Sequence, residues 1–74
     1  MTDLDPVKQV TISLCLPEAE ARALAQMVKR MIPDDCVRLS NRFERYNGRA
    51  ECDVMWSAVG LLRDALAEAG FAPR

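Results

Sequence analysis

The sequence predicts a mostly α-helical chain with a single N-terminal β-strand, in the order β-α-α-α. Three observations carry that expectation. From Gly48 to Gly70 the chain reads GRAECDVMWSAVGLLRDALAEAG, where Val54, Met55, Ala58, Val59, Leu61, Leu62, Ala65, Leu66 and Ala69 fall on one side of a helical wheel. Asp53, Ser57, Arg63, Asp64 and Glu68 take the other side. Residues 9–16 alternate strictly between polar and apolar, the period of a half-buried strand. Between Pro17 and Ile32 the apolar residues recur at helical spacing, with a proline at each end of the segment.

Taken in order, residues 1–8 mix two aspartates and a proline without periodicity and read as a flexible lead-in. In the strand expected over 9–16, Val10, Ile12, Leu14 and Leu16 share one side and Gln9, Thr11, Ser13 and Cys15 the other. A lone strand leaves its backbone groups unpaired. The same strand of a second copy, antiparallel across a two-fold axis, would pair them, which predicts a homodimer. Pro17 suits a first helical position, Glu18 and Glu20 put negative charge in the first turn, and a helix is expected over 17–32. Its stripe is Ala21, Leu24, Met27, Val28, Met31 and Ile32, with the methionines read as core filling. Pro33 stops that helix and Asp34 or Asp35 can cap a short one over 35–44, in which Cys36, Leu39 and Phe43 are the apolar positions. Tyr46-Asn47-Gly48 breaks the chain before the long helix over 49–69. Gly70 fits a left-handed C-terminal cap that folds Phe71 back onto Leu66, and Pro73 prevents continuation.

The long helix has an apolar face about half its circumference wide, more than the roughly 100° that one neighbour covers. This is a second reason to expect a twin molecule. The expected dimer interface is Val10, Ile12 and Leu14 of the strand with Val59, Leu62 and Leu66 of the long helix.

Composition narrows the chemistry. Seventy-four residues, half of them apolar, make a single domain over 1–74 that is too well supplied with core formers to be a disordered tail. Cys15, Cys36 and Cys52 are odd in number, form no Cys-x-x-Cys and have no histidine beside them, so neither a zinc site nor any other metal or cofactor is expected. No imidazole base and no phosphate-cradling glycine loop are present, and the thiols fall mainly on apolar stripes, which sets catalysis aside. The absence of a signal peptide or membrane-length apolar run, together with free thiols, predicts a cytoplasmic chain without a membrane partner. A net charge of −1 opposes whole-chain attraction to nucleic acid.

Two constellations are candidates for partner binding. Arg38, Arg42, Arg45 and Arg49 recur at steps of four, three and four, so a continuous helix would set them along one side. Such a guanidinium row suits phosphates or the carboxylates of an acidic protein, while the plain alternative is a solvated face paired locally with Asp34, Asp35, Glu44 and Glu51. Trp56 lies on the flank of the long helix with Arg63 on the same side, either an interface anchor or a lid over the core edge.

The segment VTISLCLPEAEARAL resembles the opening of ribbon-helix-helix transcription regulators, in which an alternating strand ending in Leu-Pro-Glu runs directly into the first helix. The resemblance covers roughly residues 9–32. It implies an intertwined dimer with a paired ribbon, and it would place Gln9, Thr11 and Ser13, helped by Lys8, against the major groove of duplex DNA. The phrases ALAQMVKRM and LRDALAEAGFAPR are similar to small uncharacterised proteins of proteobacterial plasmids and phages, a group that includes anti-CRISPR inhibitors. That resemblance implies a mobile-element protein that docks, without catalysis, on a host protein or ribonucleoprotein complex, through Arg38, Arg42, Arg45, Arg49, Trp56 and Arg63. A DNA-binding regulator is the alternative.

Overall fold

The computed structural model describes residues 8–71, so the lead-in expected over 1–8 lies outside the described residues except for Lys8. Three helices and one small hairpin follow in the order α1 (Glu18–Arg30), α2 (Pro33–Leu39), β1 (Arg45–Tyr46), β2 (Arg49–Ala50) and α3 (Glu51–Glu68). The chain is mostly helical, as its periodicity predicts. Its only sheet among the described residues lies immediately before the last helix, not at the N-terminus.

The expected strand over 9–16 is therefore corrected: residues 8–17 carry no regular secondary structure within the chain. Alternation alone does not make a strand, because the backbone groups of residues 9–16 need a partner edge, and among the described residues β1 and β2 pair only with each other.

Local chemistry sets each boundary. Pro17 is the N-cap of α1 and not its first helical residue; its carbonyl accepts the Ala21 N–H at 3.0 Å. Glu18 and Glu20 at one end of α1 and Lys29 and Arg30 at the other match the helix dipole. Ile32 caps α2 and Pro33 is its first residue, so the proline that ends one helix opens the next. Asp35 secures that start, its carboxylate accepting the Ile32 N–H at 2.9 Å.

α2 ends at Leu39, five residues short of the expected 44, because Ser40 and Asn41 offer the backbone better local partners. The Ser40 hydroxyl donates to the Val37 carbonyl at 2.9 Å, and Asn41 Oδ1 accepts the Phe43 N–H at 2.9 Å. Asn47 and Gly48, with φ of 54° and 83°, form a two-residue turn that pairs Tyr46 with Arg49 and Arg45 with Ala50. Positive φ at both central residues is the requirement of a type I′ hairpin turn.

α3 closes as expected at Gly70, where φ is 95°. The Phe71 N–H reaches the Leu66 carbonyl at 2.8 Å and the Gly70 N–H reaches that of Ala67 at 3.0 Å, which together make a Schellman motif.

The core sits where α1 and α2 meet α3. Ala25, Val28 and Leu66 form one buried cluster, with Leu24, Val59 and Phe71 packed against it, and Cys36 is buried on α2. Ala25 takes a core place that the expected stripe gave to Met27, which is 55% exposed. This is a thin core for a chain half of whose residues are apolar. Among the described residues no helix is long and apolar enough to cross a membrane.

Candidate interaction surface

Leu24 of α1, Leu62 and Ala65 of α3, Ala69 at the C-cap of α3, and Phe71 line an open apolar groove over Leu66, and Ile12, Leu14 and Leu16 of the N-terminal segment border it. Val10, Ile12 and Leu14 do not fill it: their exposures are 77%, 84% and 67%. Large apolar side chains so exposed, beside an unfilled apolar groove, are unusual on a chain that stays alone in water.

The expected dimer residues divide between two environments. Val10, Ile12, Leu14 and Leu62, the last 38% exposed, remain available to a partner. Leu66 is buried and Val59 half-buried in the chain's own cluster with α1, so the wide apolar face of α3 is shared between that core and the groove. Lys8, Gln9, Thr11 and Ser13 are all exposed.

The four arginines are not a helical row, since α2 ends before Arg42 is reached. Arg38 lies on α2 with its guanidinium 3.3 Å from the Asp35 carboxylate. Arg42 lies in the following turn and stacks over Phe43, 4.9 Å from the ring centre. Arg45 and Arg49 stand on opposite strands of the hairpin, and Arg49 reaches the Asp53 carbonyl at 3.5 Å. Trp56 and Arg63 do meet, with the guanidinium 5.8 Å from the indole and both side chains half-buried. Two turns of one helix hold that pair, and it covers the edge of α3.

Glu51, expected as a local partner for the arginines, bonds to Asn41 and Tyr46. One carboxylate oxygen accepts the Asn41 N–H at 2.7 Å and the other accepts the Tyr46 hydroxyl at 2.8 Å, so this side chain at the start of α3 ties down both the turn after α2 and the hairpin. The Asn41 N–H, and then the Tyr46 hydroxyl, hold the Glu51 carboxyl below its ordinary range. The same contact raises the Tyr46 phenol. The Ile32 N–H, with Arg38 adding to it, lowers Asp35. Asn47-Gly48 was a legible signal for the hairpin that presents Tyr46 to Glu51.

Among the described residues no three His, Cys, Asp or Glu side chains gather as a metal site. Cys15 is exposed, Cys36 buried and Cys52 half-buried, all as free thiols. The chemistry on offer is surface: apolar grooves, a polar N-terminal edge and guanidinium groups.

The chain belongs to the DUF7706 family. That family, described as one of unknown function, matches residues 1–74. No curated protein and no solved structure matches the chain significantly.

Proposed function

We propose that the chain is a non-catalytic protein-interaction module that works as a homodimer, each copy laying its N-terminal segment and groove against those of the other. The observation that carries this reading is the exposure of Val10, Ile12 and Leu14, the last two bordering an apolar groove that the described residues leave open. An antiparallel pairing of residues 9–16 across a two-fold axis would also satisfy their backbone groups. Arg42, Phe43 and Arg45, all exposed and outside that contact, are left for a protein target.

A second reading has its own support: Gln9, Thr11 and Ser13 are exposed and alternate with the apolar residues, so a paired ribbon would present them together, as in a DNA-binding regulator. Two variants separate the readings. Ile12→Asp withdraws a buried apolar side chain from both copies, about 3–6 kcal/mol in total, and should raise the dissociation constant about 10²–10⁴-fold while leaving the helical signal intact. Thr11→Asp should leave the dimer in place. If it also abolishes a salt-sensitive shift of duplex DNA, the regulator reading holds. An Ile12→Asp chain with the parent's mass at every concentration would refute the interface.

A further inference from the structure

A second apolar groove lies between α1 and α2 and shares no residue with the first. Its floor is Ala23 and Met27, one turn apart on α1, with Met31 at the C-cap of that helix and Leu39 at the end of α2. Met27 and Leu39 are 55% and 60% exposed. Unbranched thioethers on such a floor adapt to a varied apolar surface.

The rim is positive. Arg30 and Arg38 both line the groove, and among the described residues no carboxylate lies within ion-pair distance of Arg30. The one carboxylate in the lining, Asp35, accepts from the Ile32 N–H and pairs with Arg38, so those two charges offset each other and Arg30 gives the rim its net positive charge. Among the described residues no strand edge borders the groove, so an incoming backbone would find no ladder there and must satisfy its own hydrogen bonds. A helix does that, and a helix groove is filled by apolar side chains at steps of three and four.

We propose that this groove takes a short acidic amphipathic helix of a partner protein, its apolar stripe against Met27, Met31 and Leu39 and its flanking carboxylates against Arg30. The proposal rests on the reading of the chain as an interaction module, and not on its self-association.

The test is fluorescence polarisation with two labelled helical model peptides of Leu, Ala and Glu or of Leu, Ala and Lys, each with leucines at steps of four and three and charges on the flanks. The acidic peptide should bind saturably and at least about tenfold more tightly than the basic one. Arg30→Glu, which disturbs no ion pair of the chain, should erase that preference, and Met27→Glu should abolish binding of the acidic peptide. Equal binding of both peptides, no binding of the acidic peptide, or binding indifferent to Met27→Glu would overturn the proposal. Outcomes for the two proposals separate cleanly: a single-chain mass with the peptide bound sinks only the dimer, and a dimer that ignores the acidic peptide sinks only the groove.

Discussion

Leu66 and Leu61 stand five residues apart on α3, and truncating each to alanine tests which side of that helix the fold uses. Leu66 is 8% exposed against Ala25 and Val28, whereas Leu61 is 70% exposed. A buried Leu→Ala change costs about 2–5 kcal/mol. The core here is thin enough to relax around the gap, so the expected cost is about 2–3 kcal/mol, the lower part of that range. A chain of this length is held by about 4–11 kcal/mol in all, so Leu66→Ala removes a large share. At about 4–8 °C per kcal/mol the melting midpoint should fall by roughly 10–20 °C. Leu61→Ala should change stability by less than about 0.5 kcal/mol, with alanine's helix propensity offsetting the lost contact. Thermal unfolding followed by circular dichroism at a fixed, low protein concentration measures both. Equal losses for the two variants would mean that α3 turns a different side to α1, and the groove described above would not exist.

Acid should loosen the region that Glu51 ties down. Glu51 and Asp35 titrate lower when folded than when unfolded, so their contribution is present above the ordinary carboxylate range and lost as the pH falls through the folded values. Urea titrations between pH 6 and about pH 3 should show a slope that is shallower in Glu51→Gln; an unchanged slope would remove Glu51 from the account. Tyr46 has the opposite sense: its raised phenol adds stability that is lost as the pH climbs beyond the ordinary tyrosine value near 10. Gly70→Ala should cost about 1–2 kcal/mol, because the position has φ of 95° while an added Cβ would meet no atom within 4 Å, leaving torsional strain as the cause. A loss near zero in chemical denaturation would show that the Schellman turn does not hold the end of α3.

The helices were legible because their signals are local. Apolar spacing, Glu18 and Glu20 at one end of α1, and the Gly70-Phe71 pair after α3 act within a turn or two of where they are written. The short helix was over-extended because its stop depends on Ser40 and Asn41 turning back on the backbone, a competition that apolar spacing does not record. The arginine row failed with it, since three of its four members lie beyond that stop. Residues 9–16 show the limit of pattern in another way. The alternation of Val10, Ile12 and Leu14 is plain, yet a strand exists only with an edge to pair against, and the described residues supply none to it. Glu51 was assigned to the arginines, and its actual partners, Asn41 and Tyr46, were not legible because the α2 turn and the hairpin bring them to it and spacing does not. The outer groove was hidden in the same methionines that helical spacing assigned to the core.

Self-association through the N-terminal segment is the claim on which the proposed function stands, and isotope-filtered nuclear Overhauser spectroscopy reaches it directly. An equimolar mixture of ¹³C-labelled and unlabelled chains reports only contacts between copies. Cross-peaks between the methyls of Val10, Ile12 or Leu14 of one copy and those of Leu24 or Leu62 of the other are the expected result. A spectrum with no intermolecular cross-peaks from a folded sample, in which Ile12 remains in contact with water, would contradict it.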